Sequence, residues 1–150
     1  MNHKYMALDV AFYIIGYCND NNINIYNLNL QKILYYAQGN YLAEYDMVLF
    51  KDEIFAFEYG PTVYNVYRYF APYGSNTLNP NKTFEGLKEL DKDTKLWLNN
   101  IIDNKTKVSS WRLANETKSE DPWLKTTNNG KNLNRIIEHS VMREYFKSIR

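Results

Sequence analysis

Cysteine is nearly absent from this sequence. Cys18 stands alone among 150 residues, so the chain cannot build an internal disulfide framework, and a reducing compartment is the expected setting. Histidine is almost as scarce, with only His3 and His139. One cysteine and two distant histidines do not make a structural zinc site of the usual kind, and nothing in the sequence pairs Cys18 with either histidine as a nucleophile and its base. The six glycines are scattered and no Gly-Lys-Ser or Gly-Lys-Thr triplet occurs, which excludes the usual phosphate-cradling loop. No apolar run is long enough to span a bilayer. The N-terminus lacks the basic start, apolar run and small-residue cleavage site of a signal peptide. These absences argue against an enzyme, a cofactor or metal protein and a membrane protein, and they point to the cytoplasm.

Strong net charge is missing too. Eighteen Lys and Arg oppose 17 Asp and Glu, so no global attraction to nucleic acid is expected. The balance is uneven: residues 101–150 carry ten basic and six acidic groups. Arg135, Arg143, Lys147 and Arg150 gather near the last helix without a dense run. They read as a solvated basic face, with a patch for an acidic partner or a DNA-reading helix as the functional alternatives.

What is abundant is apolar and aromatic. Hydrophobic residues make up 45% and aromatics 16%, with 14 Tyr. A chain of 150 residues with that content suits one domain. Tyrosine brings contact area with a polar tip, so the tyrosines either form a core with wet edges or a recognition surface.

Periodicity supplies the elements. Leu8, Phe12 and Ile15 predict a helix over 6–18, with Asp9 on its polar side and Asn19 to Asn22 stopping it. Asn27 is the expected N-cap of a second helix, on which Leu30, Ile33, Leu34, Ala37 and Tyr41 form the apolar stripe. Gln31 and Lys32 read as its solvent-facing side. Val48–Phe50 and Ile54–Phe57 predict a small hairpin across Lys51-Asp52-Glu53. Pro61 suits the first turn of a third helix, in which Val63, Val66, Tyr67 and Phe70 form the inner stripe. Tyr64 and Arg68 lie off that stripe, positioned to stack on each other. A polar loop covers 73–83, either mobile or binding. Asp91 or Asp93 caps a helix with Leu90, Trp97, Leu98, Ile101 and Ile102. Ser109 or Ser110 caps another with Trp111, Leu113 and Ala114. Glu120 to Trp123 breaks the pattern, Asn128-Asn129-Gly130 turns the chain, and His139 to Ile149 closes it as a helix, with Val141 or Met142, Tyr145, Phe146 and Ile149 inward. The expected fold is mainly α, a compact bundle of about six helices with a small β-hairpin between the second and third.

Several of these blocks occur together in one known family. Leu30-Gln31-Lys32-Ile33-Leu34-Tyr35-Tyr36-Ala37-Gln38, then Leu49-Phe50, Ile54, Ala56, Tyr59-Gly60-Pro61-Thr62-Val63 and Val66-Tyr67 resemble the Panacea domain, the family of SocA-like antitoxins and phage-associated GepA-like proteins. Leu113, Thr117, Glu120, Pro122, Trp123 and Tyr145-Phe146 extend the likeness over nearly the whole chain, as one Panacea-like domain over 1–150. Three positions depart. Lys118 stands where the family usually has His, Tyr26 where Ser or Thr often precedes the helix, and Thr62 where Val is frequent. The Lys118 position therefore offers no catalytic or metal role.

The resemblance implies a mostly helical fold with a small β element, and an antitoxin that neutralises a cognate protein toxin by contact. One branch instead delivers its toxin to a AAA+ protease. The alternatives are a phage or mobile-element accessory protein, a DNA-binding regulator, and an unrecognised hydrolase with titratable groups converging in a cleft. Gln31, Lys32, Tyr35, Tyr36, Gly60, Pro61, Tyr64, Tyr67 and Trp123 are the motif positions and candidate partner contacts. Packing alone does not demand Gln31, Lys32, Tyr35 or Tyr64, and Tyr64 is the expected exposed one. Core packing is the expectation for Tyr67 and Trp123.

Overall fold

The stripe of Leu30, Ile33, Leu34 and Ala37 winds into helix α2, Asn27–Tyr45, and the other elements surround it. The structure, a computed structural model, describes residues 5–83 and 85–150; His3 lies outside the described residues. Helix α1 is Ala7–Asp20. Two short strands follow α2, β1 (Ile54–Phe57) and β2 (Gly60–Thr62), then α3 (Tyr64–Phe70) and a 3-10 turn at Ala71–Tyr73. Helices α4 (Lys92–Lys105), α5 (Ser110–Lys118) and α6 (Asp121–Thr127) lead to β3 (Arg135–Ile137) and α7 (His139–Ser148). The mainly helical expectation holds, with a hairpin between the second and third helices and a third strand joining it from near the C-terminus.

Helix α2 is enclosed on nearly every side by α1, α4, α5 and α7. Fourteen of its 19 residues are buried, so its polar side chains must find partners inside the fold. Asn27 is the first helical residue rather than the cap. Tyr26 holds the cap position, and its N–H donates to Asn29 Oδ1 at 2.7 Å. Asp9, expected on a polar face, is buried and accepts from Met6 N–H (2.9 Å) and Lys88 N–H (2.8 Å), pinning the chain ahead of α4 to α1. Asp91 and Ser109 cap α4 and α5 as expected.

The hairpin forms one step further along than the sequence suggests. Val48–Phe50 is not a strand, because the Gln38 amide takes its backbone groups: Oε1 accepts from Leu49 N–H at 2.8 Å and Nε2 donates to Phe50 O at 2.7 Å. Strand β1 pairs instead with β2 across Glu58-Tyr59, and with β3 on its other side, both antiparallel. Pro61 therefore lies in a strand rather than a helix. It sits on an edge of the sheet order β2-β1-β3, where a missing N–H costs no ladder bond. Pro122 does the reverse: it occupies the first turn of α6, where its fixed φ fits, so the chain continues as helix where a break was expected. Leu78 is fully buried and its N–H donates to Ile25 O at 2.8 Å, so the loop over 73–83 is anchored at its middle. Ile149 lies beyond the end of α7 and is exposed, while Met142 and Phe146 carry the inward face.

Candidate functional site

Gln31 and Lys32 are each 1% exposed, not solvent-facing. The reason is the β1–β2 hairpin, which lies on the side of α2 that the helical repeat leaves polar. Gln31 Nε2 donates to Asn27 Oδ1 (2.9 Å), and its Oε1 accepts from Val63 N–H (2.9 Å). Asn27 Nδ2 donates in turn to Tyr67 O at 3.0 Å. One hydrogen-bonded chain thus ties α2 to the start and the middle of α3. Lys32 Nζ donates to Pro61 O at 3.0 Å and lies 3.5 Å from Thr62 Oγ1. Among the described residues it makes no ion pair. Burial, with a smaller contribution from Lys118, pushes its ammonium down to about 7.

Gly60 is fixed by the same contacts. Its φ of +105° is open to glycine, and a Cβ there would meet Thr117 Oγ1 at 2.6 Å and Lys32 Cε at 3.1 Å. Gly60-Pro61 is thereby clasped between α2 and α5.

A second junction holds α6. The Tyr35 and Tyr36 hydroxyls donate to the two Glu120 oxygens at 2.9 and 2.8 Å. Burial raises the Glu120 carboxyl above its ordinary range, with the two tyrosine hydrogen bonds opposing. Trp123 is buried, its Nε1 donates to Phe57 O at 2.9 Å, and Lys118 Nζ stands 5.3 Å from its ring. Replacing Glu120 with alanine strands two buried hydroxyls and should cost about 2–3 kcal/mol in urea unfolding at pH 7. Glu120→Gln keeps an acceptor and should cost less; equal costs would show that the hydroxyls find other partners.

The exposed motif residues lie elsewhere. Tyr67, expected in the core, is 44% exposed. Val66 and Phe70, one turn apart, fill the inner side of the seven-residue α3, and Val63 is buried as its cap. Tyr67 lines a groove of about 550 Å³ with Tyr26, Leu28, Tyr59 and Trp111, edged by Asn27, Ser75 and Ser110. Tyr59 is 52% and Trp111 58% exposed. Their rings stand nearly perpendicular, centroids 5.3 Å apart. No charged side chain lines the groove. Tyr64 is exposed as expected, against Phe57 and with Arg68 5.7 Å from its ring, and it borders a different hollow with Lys51, Asp52 and Phe55.

Of the nine motif candidates, the structure thus brings Tyr67 alone to this groove and leaves Tyr64 exposed beside it on the same helix. Gln31, Lys32, Tyr35, Tyr36, Gly60, Pro61 and Trp123 are buried. Tyr26, Tyr59 and Trp111 were not among the candidates. Tyr59 adjoins the Gly-Pro motif, which was the available signal. Trp111 reads in sequence only as part of a short helix with Leu113 and Ala114, and of these three Leu113 and Ala114 are the buried ones.

A second cleft, about 480 Å³, lies among α2, α4 and α7, and titratable groups do converge in it: Glu44, Lys105, Glu120 and Arg150. They are engaged with each other or with aromatics. Arg150 pairs with Glu44 at 2.8 Å, Glu120 accepts from the two tyrosines, and Lys105 Nζ lies 3.9 Å from the Tyr36 ring centroid. No serine, cysteine or histidine lines it. Two of the four C-terminal cations are also neutralised, Arg150 by Glu44 and Arg143 by Asp46 at 2.9 Å, which does not favour a DNA-reading face. Among the described residues no helix is long and apolar enough to cross a membrane and no group of three potential ligands could hold a metal ion.

A family model described as "Antitoxin SocA-like, Panacea domain" matches residues 30–124, a span that takes in Gln31, Lys32, Tyr35, Tyr36, Gly60 and Glu120 of the buried junctions and the groove's Tyr59, Tyr67 and Trp111. Comparison with curated proteins and with solved structures gives no match.

Proposed function

Because this chain belongs to the SocA-like antitoxin, Panacea domain family, we propose that it neutralises a cognate protein toxin in the cytoplasm by direct, non-enzymatic contact through the Tyr59–Tyr67–Trp111 groove. The observation that carries this reading is the convergence of three half-exposed aromatic side chains on one uncharged groove. Tyrosine and tryptophan dominate the energetics of protein interfaces when they are held rigid and ringed by polar groups. Here Asn27, Ser75 and Ser110 form the ring, and the Asn27–Gln31–Val63 hydrogen bonds hold the floor. Tyr64 extends the surface along α3. The buried motif residues, in this reading, act by keeping that surface in shape.

Co-expression with the product of the neighbouring gene tests it. The expected result is toxicity of that product alone, full protection by the wild-type chain, and protection lost in Tyr67→Ala/Trp111→Ala with thermal unfolding unchanged. A harmless neighbour, persistent toxicity beside the wild-type chain, or full protection by the double variant would sink the reading. Repeating the assay in a host lacking AAA+ proteases separates the two routes: protection persists under direct neutralisation and disappears under proteolytic delivery.

A further inference from the structure

We propose that Lys32 is a pH-operated latch on the β1–β2 hairpin: the neutral amine holds β2 against α2, and its protonation releases the hairpin and with it the Tyr59 wall of the groove. The latch itself stands on the buried contacts of Lys32; its bearing on partner binding rests on the reading of the groove as the partner surface.

Strand β2 has few ties within the sheet. It is three residues long, lies at an edge and has Pro61, which donates no N–H, at its centre. A short edge strand of this kind opens at lower cost than the helical core around α2. Three contacts fasten it on its inner side. Lys32 Nζ donates to Pro61 O at 3.0 Å, Val63 N–H donates to Gln31 Oε1 at 2.9 Å, and Gly60 sits against Thr117 of α5 and the Lys32 stem. Tyr59 directly precedes Gly60, and its ring meets Trp111 of α5 with centroids 5.3 Å apart. Movement of β2 away from α2 therefore carries Tyr59 out of the groove.

The Lys32 site is matched to an amine and not to an ammonium. A neutral amine has two N–H groups and an ammonium three. Two oxygens lie within reach of Nζ, Pro61 O at 3.0 Å and Thr62 Oγ1 at 3.5 Å, and the third N–H of the charged form has no acceptor among the described residues. Nor do the surrounding charges compensate. Strands β1 and β2 carry no ionisable side chain. On α5, Lys118 opposes the charge, while Arg112 and Glu116 pair with each other at 3.6 Å. Glu120, at the start of α6, is held by Tyr35 and Tyr36 one turn along α2. No carboxylate pairs with Lys32 among the described residues. The closed hairpin thus holds the ammonium down to about 7 from an ordinary 10.5. Lifting the hairpin returns the amine to water, so between those values the open form binds a proton that the closed form does not, and acidification toward pH 7 favours opening.

The test needs no toxin. Hydrogen exchange on the full 15N-labelled chain, corrected for the intrinsic pH dependence of exchange, reads the latch at the Val63 amide, with amides on the buried face of α2 reporting global unfolding. The expected result is a Val63 opening more frequent than global unfolding at pH 7 and about 30- to 50-fold rarer at pH 9. Lys32→Met should remove that pH dependence. Lys118→Gln keeps Lys32 and removes the opposing cation, so it should make the opening about two- to threefold rarer at pH 7, and it carries the test should Lys32→Met not fold. Val63 opening equal to global unfolding at every pH, no change between pH 7 and 9, an undiminished pH dependence in Lys32→Met, or an opening unaltered in both variants would overturn the inference. Its failure is distinct from failure of the functional reading. Protection by the wild-type chain with a pH-independent Val63 opening removes the latch alone. A pH-dependent opening with no protection by the wild-type chain removes the antitoxin reading and leaves the latch.

Discussion

Raising the pH from 7 to 9 is expected to stabilise this fold by roughly 2 kcal/mol, at about 1.4 kcal/mol per pH unit for one fully displaced proton, and Lys32→Met is expected to abolish that gain. In the folded chain the Lys32 ammonium is held down to about 7 from an ordinary 10.5, because it is buried without a carboxylate partner. Between those two values the unfolded chain binds a proton that the folded chain does not. Stability therefore rises with pH through this window, and below pH 7 the folded state must carry a buried charge. Other groups bound the range. Cys18 is pushed up to about 11 from 9.0 by burial, and the Tyr35 and Tyr36 hydroxyls are also raised, so these groups act with the opposite sign above pH 9. Glu120 shifts upward from 4.5 and His139 downward from 6.5, so the titration of His139 lies below the window.

Methionine preserves the stem of Lys32 and removes the titrating group. Its cost is the lost N–H donor to Pro61 O, while the Thr62 hydroxyl keeps its bond to Gly60 O at 3.1 Å. Urea unfolding of both proteins at pH 7, 8 and 9 and constant ionic strength reads the difference. An equal pH slope in Lys32→Met would place the titration elsewhere. Lys32→Ala is the poorer probe, because it also opens a cavity between α2 and β2.

Lys32 also marks where the sequence stops being legible. The inner stripe of α2 and the caps at Asp91 and Ser109 are visible because they obey local rules, a 3.6-residue period and a side-chain oxygen before a helix. The same period makes Gln31 and Lys32 look solvent-exposed. What buries them is a hairpin about 30 residues further on, and no local pattern reports which polar face a later element will cover. The strand pairing failed for a related reason. Val48–Phe50 has strand-like composition, but one amide, Gln38, satisfies its backbone from the helix, while the true second partner of β1 is β3, from near the C-terminus. Both prolines fitted two local roles, and tertiary context assigned them in the order opposite to expectation. The groove was the least legible feature. Tyr26, Tyr59, Tyr67 and Trp111 come from four separate elements or turns, and only the family match linked Tyr59 and Tyr67 beforehand.

Gly39 sets local and tertiary rules against each other with opposite signs, and Gly39→Ala is expected to destabilise the protein by about 3 kcal/mol or more. On helix propensity alone the change should stabilise by up to about 1 kcal/mol, since glycine is the weaker helix former. The structure reverses that sign. A Cβ on Gly39 would lie 2.8 Å from Phe146 Cζ and closer still to Cε2 and Cδ2. Phe146 is fully buried and cannot swing to water. Its ring is edge-packed against Tyr35 at 5.5 Å, Tyr36 at 6.0 Å and Tyr145 at 5.1 Å. The new methyl must push α7 away from α2 and disturb the two tyrosines that hold Glu120. A double-mutant cycle separates this account from a simple helix effect. Phe146→Ala alone should cost about 3–5 kcal/mol through its cavity, and in that background Gly39→Ala should be nearly neutral or stabilising, a coupling beyond 1 kcal/mol between residues in contact. Additive costs, or a Gly39→Ala single variant as stable as the wild type, would mean that α7 can shift without loss. In that case the close approach of α7 to α2 is not what the glycine is there to allow.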